Sequence, residues 1–189
     1  MSNKDRLLKE AARRMAKHGY NAVTMDILIE ATGIAKSNVY YHFVSKEQLG
    51  IEVMEYWCTM FVEFDQSTLG HADLEAASRF SLFLSRLIHF QQAGDFPGEP
   101  IWLLASEMGD VESQRLYSRF INARLHLLHS LIHDGQRDGQ FSTRLRATAL
   151  SWMIIHAVSG ASSQTKILHS VEPLERAAAS LTSLLTDNR

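Results

Sequence analysis

The sequence predicts an all-α chain of roughly nine helices. Three observations carry that reading. Apolar residues recur at i, i+4 and i+8 along most of the chain, the period of a buried helix face. No segment alternates apolar and polar residues as a half-buried strand does. Only three prolines occur in 189 residues, and the first 96 contain none, so long stretches are free of the residue that breaks helix interiors.

Taken in order, Leu7, Leu8, Ala11, Ala12 and Met15 form the inner face of a first helix, which Gly19 ends as a C-terminal cap. Thr24 is the N-cap of a short helix with Leu28 and Ala31 inward. Gly33 stands where that helix stops and turns sharply, a place for a residue tolerant of positive φ, and Ile34 plugs the turn. A second short helix runs from about Lys36 to Phe43, with Val39 and Phe43 inward at i, i+4. Its outer face shows Lys36, Ser37, Asn38, Tyr40, Tyr41 and His42. Two short helices joined by a glycine turn make a helix-turn-helix, whose second helix enters the major groove of DNA. Ser45 to Gln48 reads as a capping box, opening a helix through Leu49, Val53, Trp57, Met60 and Phe64. Further helices are expected at about 73–92, 100–109, 113–134, 143–162 and 172–186. They are broken by a Gly- and Pro-containing loop over 93–100 and by a second break over 164–171, before Pro173.

Composition bounds the function. A hydrophobic fraction of 46% is that of a folded globule. One cysteine excludes an internal disulfide and suits a reducing compartment. The polar first ten residues lack an export signal, and runs such as Trp152 to Ile155 are far shorter than a membrane span. The expectation is a soluble, cytoplasmic chain with no membrane partner. No phosphate-binding loop, Gly-x-Ser-x-Gly or His-Glu-x-x-His appears, so no enzyme, cofactor or metal is expected. His126, His129 and His133 share one helix face but lack a marked further ligand, and read as a polar face. Cys58 has no basic sequence neighbour and reads as inert. The net charge of −2 divides unevenly: residues 1–50 carry 8 Lys/Arg against 5 Asp/Glu, and residues 51–189 carry 11 against 16. A basic N-terminal part on an acidic remainder fits attraction to phosphate.

Residues 19–49 then become specific. Gly19-Tyr20, Thr24, Gly33, Lys36, Tyr40-Tyr41-His42-Phe43 and Ser45-Lys46-Glu47-Gln48-Leu49 resemble the DNA-binding domain of the tetracycline-repressor-like (TetR) family of bacterial regulators. The resemblance covers about the first 50 residues. It departs at Ala35-Lys36-Ser37, where the family's hydroxyl before the recognition helix is missing, and at Ile27 and Ile29. It implies a DNA-binding domain over 1–50 and an effector-binding and dimerisation domain over 51–189. Carried over by position, Lys36, Ser37, Asn38, Tyr41 and His42 face the groove. Asn38 suits an adenine edge and Lys36 a guanine. Thr24, Tyr40, Tyr41 and Lys46 hold phosphates, joined by the backbone N–H groups after Ser45.

The resemblance also implies a small-molecule effector of unknown identity and a homodimer. Phe61, Phe64, Phe83, Trp102, Phe120 and Trp152 are candidates to line the effector cavity, with Glu107 and His156 as its polar groups. Plain core packing is the alternative for each aromatic residue, and a pair with Arg115 is favoured for Glu107. Leu150, Ile154, Ala157, Val158, Ala161, Leu174, Ala178 and Leu181 are expected in a four-helix dimer interface, with intrachain packing as the alternative. Such a dimer requires a palindromic operator. The function expected is a ligand-released repressor. Its alternatives are a regulator of the same fold without a ligand, controlled by a partner or acting as an activator, and, remotely, an all-α metal-binding protein.

Overall fold

The fold, taken from a computed structural model, is described for residues 2–93 and 99–187. Among these it consists of nine α-helices without strands: α1 (Asn3–His18), α2 (Met25–Thr32), α3 (Lys36–His42), α4 (Lys46–Thr68), α5 (Ala76–Gln92), α6 (Pro100–Met108), α7 (Val111–Arg137), α8 (Ala147–Leu168) and α9 (Glu172–Thr186). No described helix is long and apolar enough to cross a membrane. Of the loop read over 93–100, residues 94–98 lie outside the described residues.

The chain divides into two compact units. One comprises Met1–Met60 and Glu99–Arg119; the other comprises Phe61–Gly98 and Phe120–Arg189. This differs from the division expected at residue 50. α4 runs unbroken past that position, and α6, from the supposed effector region, packs on α1.

In the first unit, local chemistry sets the helix ends. Ser2 caps α1 with a full capping box: its hydroxyl accepts from the Asp5 N–H at 3.1 Å, and the Asp5 carboxylate accepts from the Ser2 N–H at 3.0 Å. Gly19, at φ +88°, closes α1 by donating its N–H to the Met15 carbonyl. The Thr24 hydroxyl accepts from the Ile27 N–H at 3.3 Å, and Gly33 ends α2 in the left-handed region. α3 has no side-chain cap at Ala35, as its missing hydroxyl predicts. The capping box at α4 is shifted by one residue. Ser45 Oγ accepts from the Gln48 N–H, but Gln48 Oε1 accepts from Val44, not from Ser45. Leu7, Ala11 and Met15 of α1 are buried, as are Leu28, Ile34, Val39, Phe43, Leu49 and Val53. Each large apolar side chain so buried contributes about 1.5–3 kcal/mol. Ala31, expected inward, is exposed. α2 rests on the face of Met25 and Leu28, and position 31 lies at the edge of that face, about 120° around the helix from Met25.

In the second unit, α8 packs on α9 and α9 on α5. α8 begins at residue 147, four residues later than expected, and runs to Leu168, well into the break read over 164–171. It ends at His169, a non-glycine residue in the left-handed region with φ +50°.

A candidate nucleic-acid interface

α3 is seven residues long and turns one side inward, through the fully buried Val39. That single anchor leaves Lys36, Ser37, Tyr40 and Tyr41 exposed together, with Asn38 and His42 half-buried at the edges of the face. Tyr41 is 81% exposed, and its ring meets only the edge of His42, with centroids 5.2 Å apart. A phenol held this far from the core does not pack the fold. Tyr40, 41% exposed, lies 5.9 Å beneath the Lys36 ammonium. Lys36 Nζ also reaches Asp26 Oδ1 of α2 at 3.2 Å, an exposed pair of little stabilising worth. The amide of Asn38 is touched from α1, where Asn3 Nδ2 donates to its Oδ1 at 3.4 Å.

The flanking candidates are more committed. Thr24 spends a lone pair on capping α2. Lys46 Nζ donates to the Asn21 carbonyl at 3.3 Å and lies 4.2 Å from the centroid of the Tyr20 ring. At the first turn of α4, the Glu47 carboxyl is held below its usual range by its own backbone N–H and the Ser45 hydroxyl. A carboxylate therefore already sits where a phosphate was expected.

The sequence also matches a known family. A model described as bacterial regulatory proteins, tetR family, matches residues 7–53. The transcriptional regulator QacR of Staphylococcus aureus is 39% identical over 54 residues, 29% of this chain and 29% of that protein. The match thus spans less than a third of QacR's length. The transcriptional repressor DhaR of a Mycobacterium species is 23% identical over 178 residues, 90% of this chain and 85% of that protein. A TetR transcriptional regulator from Chloroflexus aurantiacus superposes with a TM-score of 0.81 at 26% identity, covering 95% of this chain and 92% of that one.

Residues 7–53 are thus similar to the TetR family's regulatory domain.

The regulatory protein TetR from Rhodobacter sphaeroides, with a TM-score of 0.88, 97% of this chain and 100% of that chain covered and 19% identity, shares the fold throughout.

Of the eight candidates for an effector cavity, four form one cluster. Phe61, Phe64, Phe83 and Phe120 gather in the second unit: Phe61 meets Phe64, Phe90 and Phe120 edge-on, and Phe64 meets Phe83. Trp102 is 47% exposed and belongs to the first unit with Glu107. Trp152 stacks on His156 along the exposed side of α8, with centroids 5.5 Å apart. Glu107 does not pair with Arg115, which joins Glu112 instead. Its carboxylate accepts from the Asn21 N–H at 2.8 Å. Two grooves of about 550 and 400 Å³ open in the second unit, the latter between α5 and α9 along Phe80, Leu84, Ile88 and Leu185. None of the eight candidates lines either one.

The residues expected at a dimer interface are largely covered within the single chain. Leu150, Ile154, Val158, Ala161, Leu174, Ala178 and Leu181 are buried within the single chain, and Ala157 is half-buried. α8 packs on α9 inside the second unit, and Leu150 and Ala178 also line its two grooves. The exposed side of α8 instead carries Trp152, Met153, His156, Gly160, Gln164, Ile167 and Leu168.

Two residues of consequence escaped the sequence reading. Arg124 and Asp65 form a buried ion pair, Nε to Oδ2 2.8 Å and Nη2 to Oδ1 3.2 Å. The guanidinium lies 4.5 Å from the Phe120 centroid and 5.7 Å from that of Phe61. Burial pushes the Asp65 carboxyl up, and the Arg124 charge opposes that rise. The available signal was a charge on an apolar face, Phe61-Asp65 on α4 and Phe120-Arg124-Leu128 on α7, each at i, i+4. Asp134, beside the three histidines, joins Arg79 and Arg137. His129 and His133 stack on each other. Among the described residues no three metal-ligating groups come together.

Proposed function

We propose that this chain is a transcriptional repressor that reads a palindromic operator as a homodimer, with α3 in the major groove. The observation that carries the reading is the outer face of α3. Lys36, Ser37, Asn38, Tyr40, Tyr41 and His42 crowd onto one short helix that spends only Val39 on the core. Side chains of these types bond base edges and phosphates. The names of the matched relatives, regulators and a repressor, support the same assignment. Lys36, Ser37, Asn38 and His42 supply base contacts, and Tyr40, Tyr41, Thr24 and Lys46 phosphate contacts. Asp26 shields Lys36 until DNA competes for it.

The partner surface assigned here is the exposed side of α8. Trp152, Met153, Ile167 and Leu168 give it apolar area, and Gly160, where an added Cβ would meet nothing within 4 Å, lets a second helix approach closely. Release by a small apolar effector is the finer part of the reading. The aromatic cluster of the second unit supports it, because apolar walls with few polar groups suit such ligands.

The experiment is selection of duplexes from a random-sequence library, followed by titration at fixed salt. A selected palindrome is expected. Tyr41→Ala then weakens binding by about ten-fold, with the sedimentation coefficient unchanged. Failure of the wild-type chain to select any duplex overturns the reading.

A further inference from the structure

The turn Gly19-Tyr20-Asn21 joins α1 to α2 and sets where α2 starts, and with it the direction of α3. Both backbone groups of Asn21 are held by charged side chains from elsewhere in the first unit. Glu107 Oε2 on α6 accepts from the Asn21 N–H at 2.8 Å. Lys46 Nζ donates to the Asn21 carbonyl at 3.3 Å. The Tyr20 ring lies under the same ammonium and fills the space beside Gly50, where an added Cβ would fall 2.8 Å from it. The Glu107 carboxylate likewise fills the space beside Gly19, where an added Cβ would fall 2.4 Å from Oε1.

A carboxylate beside the C-terminus of α1 faces the negative end of the helix dipole. Nothing in α1 draws Glu107 there; the Asn21 amide does. A charge-assisted bond of this kind is about twice as strong as a neutral one.

We propose that Glu107 is a positioning residue for DNA binding: by holding the Asn21 amide from α6 it fixes the α1–α2 turn and thereby the pose of α3. The inference rests on the DNA-binding reading above. It makes operator recognition depend on a side chain outside the helix-turn-helix, on a helix that sequence assigns to the effector region.

Three variants, Glu107→Ala, Glu107→Gln and Gly19→Ala, test it against the duplex selected by the wild-type chain. Glu107→Ala lowers affinity for that duplex about ten-fold. It leaves affinity for an unselected duplex of the same length within about two-fold, since phosphate attraction is untouched. The Asn21 amide exchanges with deuterium about ten-fold faster once its acceptor is gone. Glu107→Gln keeps an acceptor oxygen and restores both quantities to within about three-fold of wild type. Gly19→Ala accelerates Asn21 exchange less when Glu107 is already Ala, because the two changes disturb one contact.

Unchanged Asn21 exchange in Glu107→Ala overturns the proposal, as does faster exchange with undiminished affinity for the selected duplex. Equal losses on selected and unselected DNA, or no rescue by Glu107→Gln, reduce Glu107 to general stability and overturn it as well. A wild-type chain that selects no duplex overturns the DNA-binding reading and this inference together. A wild type that selects one, with a variant that binds it equally, overturns this inference alone.

Discussion

Asp110 shows how much a single side chain can determine. Its Oδ1 accepts from the N–H groups of Glu112 and Ser113, both at 2.9 Å, at the start of α7. Those bonds hold its carboxyl below the ordinary range, the Ser113 amide most of all. Asp110→Ala should cost about 1 kcal/mol of unfolding free energy in urea at neutral pH. A carboxyl with a depressed folded pKa stabilises the fold above its unfolded value and loses that contribution as pH falls through the folded one. The gap between wild type and Asp110→Ala should therefore narrow from about pH 4 downward. Cys58 behaves in the opposite sense. Burial pushes its thiol up to about 11, against a weaker pull from Arg119. Alkylation by iodoacetamide at pH 8 should run about a hundred-fold slower in the folded chain than in urea. The sequence reading of an inert thiol rested on the absence of a basic sequence neighbour. The structure supplies the larger cause, desolvation.

At the scale of elements, the two turn glycines of the first unit differ in kind. Gly33 adopts φ +65°, and an added Cβ would meet nothing within 4 Å. Gly33→Ala should cost only the backbone strain, about 1–2 kcal/mol. Gly19→Ala adds a collision with the Glu107 carboxylate and should lower the urea midpoint further; equal losses would contradict the contact. Both glycines were legible as helix ends, because a cap is a local requirement. Ala31 was misplaced inward because an eight-residue helix offers few apolar positions to fix its phase. α8 was read as ending early because polar Ser163, Gln164 and Lys166 look like a loop. In the fold Thr165 is buried and meets Gln91 at 3.2 Å, so tertiary packing extends the helix beyond its apolar period. The seam of α8 and α9 was legible as a close helix contact. Whether that contact lay within or between chains was not, since small and aliphatic residues serve both equally.

At the scale of the whole chain, the buried Asp65–Arg124 pair ties α4 to α7 within the second unit. Asp65→Asn removes the carboxylate charge that Arg124 Nε and Nη2 reach and should cost about 3–5 kcal/mol in urea unfolding. Replacing both, Asp65→Leu with Arg124→Met, should recover most of that loss, because a buried pair gains little over apolar groups of similar volume. If the double variant is as unstable as the single one, the pair matters through its geometry and not its charge balance. The sequence by itself determined the helical class, the two short helices with their glycine turn and the polar outer face of α3. These follow from periodicity, caps and residue types within short windows. Only the tertiary structure decided which charges meet across the chain: Glu107 with the Asn21 amide and Arg124 with Asp65. It alone decided that most of the expected dimer residues are covered within the chain and that α6 packs on α1. Such pairings join residues 59 and 86 positions apart. No local rule reaches that far, because distance in space is set by how helices pack and not by spacing along the chain.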